Sequence, residues 1–102
     1  MMTRHERYLL LQLIQECSEV TKEATKALMY GINNCNPNAA VKTTNRRNLS
    51  SEIIDLEVTI NTLFSNGIVL PEPRSAYQKR AEKSRKWFRY SKNVKEVDDE
   101  YK

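Results

Sequence analysis

Four carboxylates are spaced in a way that chemistry can use: Glu16 and Glu19, three residues apart, and Glu52 and Asp55, again three apart. On an α-helix that separation puts both members of a pair on one face, close enough to share a cation. Most helical carboxylates do no more than solvate a surface. These differ in position. Glu16 falls three residues after Leu13 and four before Val20, so it borders an apolar stripe, and Glu52 shares a ridge with Leu56, Thr59 and Leu63. Ionised carboxylates are rarely buried without a partner. Two acidic pairs on helices that must pack together therefore point to a divalent cation. Carboxylate oxygens with no His or Cys constellation suit Mg²⁺ or Mn²⁺ rather than zinc. The one histidine, His5, lies in a first helical turn and is not expected to be a ligand.

The elements that must position these acids are legible as helices. Thr3 to Glu6 reads T-x-x-E, a capping box. Leu9, Leu13, Cys17, Val20, Ala24 and Leu28 then recur at helical spacing, and Gly31 is a left-handed stop, so the first helix is expected over about residues 4–30. Residues 31–48 hold six asparagines, one proline and no apolar periodicity. This is a loop, longer than the roughly 2–8 residues usual between helices, and long loops in compact domains are often functional. A second helix is expected from about Asn48, with Asn48 or Asn45 as cap, to Asn66-Gly67, burying Ile53, Leu56, Ile60, Leu63 and Phe64. Pro71 and Pro73 close a short connection. A third helix is expected over about 73–90, with Ala76, Tyr77, Ala81, Ser84, Trp87 and Phe88 inward.

Composition bounds the reading. The chain has 102 residues, room for one domain, with 39% hydrophobic and 29% charged residues, a globular balance. Two glycines exclude a phosphate-cradling glycine loop and a turn-rich β-sandwich. The longest mostly apolar run, Tyr8 to Ile14, is too short to span a bilayer, and no small-residue cleavage site follows it. A cytoplasmic protein with no membrane partner is expected, with Cys17 and Cys35 reduced. The net charge of +4 is unevenly spread. Residues 74–92 hold eight Lys or Arg and one acid, Glu82, whereas 93–102 carry Glu96, Asp98, Asp99 and Glu100 and read as an acidic tail.

The pattern E-x-x-E followed by E-x-x-D on successive helices resembles the signature of the MazG-like, all-α NTP pyrophosphohydrolase superfamily, in particular its small members common in phages and bacteria. The resemblance rests on LIQECSEVTKEATKALMYG, NRRNLSSEIIDLEVTINTLFSNGIV and KRAEKSRKWFRYSK, which fall between residues 13 and 92. Met29 stands where the family often carries arginine, and Ser51 and Ile54 where an acid and a glycine are frequent. The asparagine-rich loop is longer than in many members.

What the resemblance implies is an all-α domain over residues 1–92, its three main helices assembling as a four-helix-bundle-type homodimer or homotetramer. It further implies a Mg²⁺-dependent enzyme that cleaves a nucleoside triphosphate, ribo or deoxy, to the monophosphate and pyrophosphate. Glu16, Glu19, Glu52 and Asp55 would hold the metal. A carboxylate not saturated by metal, Glu16 or Glu19 by preference, would orient or deprotonate water. Candidate substrate contacts are Lys26, two turns beyond Glu19, and Asn45, Arg46 and Asn48 near a helix N-terminus, where free N–H groups attract anions. Lys79, Lys83 and Lys86 complete the set as a basic run on the third helix. Lys26 can equally pair with Glu23, an acid one turn beyond Glu19 that could also support the metal from behind its ligands. Two rivals stand beside the enzyme: a helical protein that sequesters nucleotides without hydrolysis, and a small basic nucleic-acid-binding protein gripping phosphates and stacking bases through 74–92.

Overall fold

The computed structural model describes residues 1–100, with side-chain surroundings described through Lys92. All regular structure there is helical: α1 (Arg4–Tyr30), α2 (Asn45–Ser65) and α3 (Arg74–Glu100). The chain divides into two units, Met1–Leu70 and a second beginning at Pro71. Among the described residues no helix is long and apolar enough to cross a membrane.

The α1 start is the expected capping box. The Glu6 N–H donates to Thr3 Oγ1 at 3.0 Å, and the Thr3 N–H donates to Glu6 Oε1 at 2.8 Å. The Thr3 N–H first, and the Thr3 hydroxyl with it, hold the Glu6 carboxyl below its ordinary pKa. The helix stops at Gly31, which takes φ +95° and donates its N–H to the Ala27 carbonyl at 2.9 Å. A Cβ at Gly31 would sit 3.1 Å from Asn34 Nδ2, so this turn needs both the positive φ and the missing side chain.

Helix α2 begins three residues earlier than Asn48. Its cap is Thr44, whose hydroxyl accepts the Arg47 N–H at 3.2 Å. Asn45 is free of capping because its amide serves elsewhere: Nδ2 donates to the Gly31 carbonyl at 2.9 Å, and its N–H donates to the Asn34 carbonyl at 2.8 Å. The helix ends in a Schellman turn. The Gly67 N–H reaches Phe64 O at 3.1 Å, the Ile68 N–H reaches Leu63 O at 3.0 Å, and Gly67 supplies φ +69°.

These contacts make α1 and α2 an antiparallel hairpin. Asn45 ties the start of α2 to the end of α1, and His5 Nε2 meets Asn66 Oδ1 at 3.2 Å at the opposite end. The 31–44 connection is ordered by its own bonds, including an isolated bridge between Cys35 and Thr44. The hairpin core is small: Leu9, Ala27 and Leu63, the last only 1% exposed. Ile53 and Phe64, expected inward, are exposed, as are Leu11, Ile14, Ile54 and Val58, and Cys17. Periodicity identifies a face, but one hairpin is too thin to cover both sides of it.

In the second unit, α3 continues ten residues past the expected end at 90. Ala76 and Ala81 are half-buried, while Tyr77, Trp87 and Phe88, expected inward, are exposed. Trp87 and Tyr90 meet edge to face at 5.7 Å, and Lys92 lies 5.0 Å from the Phe88 ring centre. The acidic side chains expected in a tail lie outside the described side chains, and residues 101–102 lie outside the described residues.

Candidate metal centre

In the antiparallel hairpin the middle of α1 faces the N-terminal half of α2, and the acidic pairs meet there. One carboxylate oxygen from each of Glu16, Glu52 and Asp55 lies within 4.8 Å of the other two. Glu16 and Glu52 are half-buried and Asp55 is exposed, so the trio opens to solvent on one side. Such proximity is unfavourable for three anions. Partial burial pushes the Glu52 carboxyl above its ordinary pKa, and the charges of Asp55, Glu19, Glu16 and Glu23 push it further in the same direction.

Glu19 stands outside the trio but is half-buried, and its charge reaches Glu52. All four acids singled out in the sequence thus belong to one electrostatic cluster, three of them close enough to share an ion. The donor set is all oxygen, which suits a hard divalent cation.

A fifth acid, Glu23, has more weight here than its sequence context announced. It is only 8% exposed, its Oε1 is 3.5 Å from Lys26 Nζ, and its Oε2 is buried without a hydrogen-bond partner. A buried carboxylate oxygen left unpaired is costly and asks for a water or a cation. The signal in the sequence was its position seven residues after Glu16, two turns along the same face. Pairing with Lys26 gave an ordinary surface explanation for it.

The proposed substrate contacts are distributed unevenly. Lys26 and Asn45 line a cavity of about 510 Å³ at the loop end of the hairpin. Arg46 is exposed, and its Nε and Nη2 both donate to Asn33 Oδ1 at 3.3 Å, which makes it a brace for the loop. In the second unit Lys83 and Lys86 line a cavity of about 440 Å³ with Trp87 and Tyr90, whereas Lys79 is exposed away from it.

Comparison with family models, with curated proteins and with solved structures finds no match to this chain.

Proposed function

We propose that this chain is a Mg²⁺-dependent nucleoside triphosphate pyrophosphohydrolase acting on a cytoplasmic nucleotide pool. In this reading water adds to the α-phosphorus, the α–β phosphoanhydride bond breaks, and the products are the monophosphate and pyrophosphate. The observation that carries it is the meeting of Glu16, Glu52 and Asp55 oxygens within 4.8 Å across the hairpin. The unpartnered Glu23 oxygen and the raised Glu52 pKa support a cation there, because both describe negative charge in excess of what the protein compensates. The resemblance of the two acidic motifs and the basic-aromatic third helix to the MazG-like superfamily supplies the reaction.

Glu16, Glu52 and Asp55 would hold Mg²⁺ or Mn²⁺, with Glu19 as the fourth acid of the set. Bound there, the metal supplies positive charge for triphosphate oxygens and lowers the pKa of water. Glu19, adjacent to the trio but outside it, is assigned to accept the proton of the attacking water. Lys26, at the edge of the cluster, would meet a phosphate. Assembly as a homodimer or homotetramer belongs to the same reading. It is supported by the uncovered apolar side chains of Leu11, Ile14, Ile53, Ile54 and Val58.

A second reading, nucleic-acid binding, is favoured by one feature of α3: exposed Trp87, Phe88 and Tyr90 among closely spaced lysines and arginines. Pyrophosphate release from a panel of (d)NTPs, measured with Mg²⁺, with Mn²⁺ and with EDTA, separates the two. The enzyme gives metal-dependent release that Glu52→Gln abolishes. A nucleic-acid binder gives no release, and binds oligonucleotides with steep salt dependence in Glu52→Gln as in the parent.

A further inference from the structure

The cavity at the loop end of the hairpin lies on the same seam as the acidic cluster. On α2, Asn45 and Asn48 precede Glu52 by seven and four residues, and on α1, Lys26 and Tyr30 follow Glu23 by three and seven. At 1.5 Å rise per residue, Asn45 and Asn48 lie about 6–10 Å along α2 from Glu52, and Lys26 and Tyr30 about 15–21 Å along α1 from Glu16. Its volume of about 510 Å³ falls within the range of small-molecule pockets. Its polar lining is Lys26, Tyr30, Asn34, Asn36, Asn45 and Asn48, with no acid among them.

Each of the four amides makes one hydrogen bond within the protein. Asn45 Nδ2 is committed to the Gly31 carbonyl at 2.9 Å, and Asn34 Nδ2 to the Tyr30 carbonyl. Asn36 Oδ1 accepts the Asn38 N–H at 2.9 Å, and Asn48 Oδ1 accepts the Thr43 hydroxyl at 2.7 Å. What remains uncommitted is two carbonyl oxygens, on Asn34 and Asn45, and two NH₂ groups, on Asn36 and Asn48. Asn45 is only 5% exposed and is held by its bond to Gly31. Tyr30, 61% exposed, adds an aromatic face.

We infer that this cavity is the seat of a nucleotide's heterocyclic base, held by the asparagine amides and stacked on Tyr30. Free donors beside free acceptors match the donor–acceptor edge that every nucleobase carries, and a planar ring suits the tyrosine. A phosphate would find there a single cation, Lys26, already paired with Glu23, and could not use the acceptor oxygens of Asn34 and Asn45, which a base can. The separation from Glu16, Glu52 and Asp55 leaves room for the sugar, and Lys26 stands between base and cluster. The inference rests on the pyrophosphohydrolase reading for the phosphate end of the ligand and on the cavity alone for the base.

Two measurements keep those parts distinct. The first is titration of the ¹⁵N-labelled full chain with adenosine, guanosine, cytidine, thymidine and uridine in EDTA. At least one nucleoside is expected to shift the side-chain amide signals of Asn36 and Asn48; no shift with any of the five overturns the base seat. The second is KM for the best nucleoside triphosphate and for base-free ribose 5-triphosphate, in Tyr30→Ala and Asn48→Ala. Each substitution is expected to raise KM for the nucleotide about 5-fold or more and to leave KM for ribose 5-triphosphate unchanged. Equal changes for both substrates overturn the inference. Neither variant removes the Asn45–Gly31 bond that closes the loop. If no triphosphate is hydrolysed at all, the enzyme reading falls, and the nucleoside titration alone decides the base seat.

Discussion

Glu16 on α1 and Glu52 on α2 present carboxylate oxygens within 4.8 Å of each other across the hairpin, with Asp55 completing the trio. Two helices that bury little else have converged on mutually repelling groups. The hairpin is thereby poorer in stability than its packing alone would make it, and a cation is the simplest way to recover the difference.

Metal should therefore stabilise the fold. A ligand that binds only the folded state adds about 2.7 kcal/mol when present at 100 times its Kd. Mg²⁺ or Mn²⁺ is expected to raise the Tm of the parent chain in a saturable way. Glu52→Gln should lose most of that rise, and Glu57→Gln, an exposed acid of the same helix outside the trio, should keep it. Scanning calorimetry across a metal titration checks this. An equal rise in both variants would point to nonspecific screening.

The metal-free protein should show the repulsion in its pH dependence. Because the folded state raises the Glu52 pKa, it holds that proton more tightly than the unfolded chain does, and stability falls as pH rises. The window opens near the ordinary value of 4.5 and closes above the raised one. Glu6 acts oppositely: its lowered pKa contributes stability that is lost as pH falls through the folded value. Glu6 is common to parent and variant, so their difference isolates Glu52. In EDTA, Glu52→Gln is expected to match the parent in acid and to exceed it in stability near neutral pH. Urea unfolding at a series of pH values reads this out.

The sequence carried the parts of this arrangement that obey local rules. T-x-x-E sets the α1 cap by its own reach, Asn-Gly sets the α2 stop, and three-residue spacing assigns Glu16 with Glu19 and Glu52 with Asp55 to common faces. What it did not carry is nonlocal. Asn45 reads as a cap until Gly31, fourteen residues away, is seen to take its amide, leaving Thr44 to cap. Glu23 reads as the surface partner of Lys26 until the folded hairpin shows it buried. Ile53 and Phe64 read as core, and a helix sequence alone does not say what lies against its apolar face.

The loop that builds the asparagine cavity depends on Gly31. Its backbone, at φ +95° and ψ +146°, lies near the region open essentially to glycine, where other residues pay about 1–3 kcal/mol. A Cβ there also presses on Asn34. Gly31→Ala is expected to destabilise the chain by about that amount in urea unfolding, and to weaken any nucleoside binding at the cavity. Gly67→Ala pays for its positive φ alone, since no atom lies within 4 Å of the added carbon, and it should leave nucleoside binding intact.

Glu23 is the test of whether the cluster extends beyond the trio. Its burial and its unpartnered Oε2 have two physical explanations: the residue waits to support a cation held by its neighbours, or it is simply a poorly solvated partner of Lys26. Glu23→Gln keeps the shape and a hydrogen-bonding oxygen while removing the charge. If Glu23 supports the metal from behind its ligands, Mg²⁺ affinity should fall about 10- to 100-fold, the usual effect of losing such a partner. Lys26→Met, which removes the competing cation, should leave Mg²⁺ affinity unchanged or tighter. If Glu23 exists only to pair with Lys26, both substitutions should destabilise the fold and neither should weaken metal binding. Isothermal titration with Mg²⁺, alongside urea unfolding of the same three proteins, distinguishes the two outcomes.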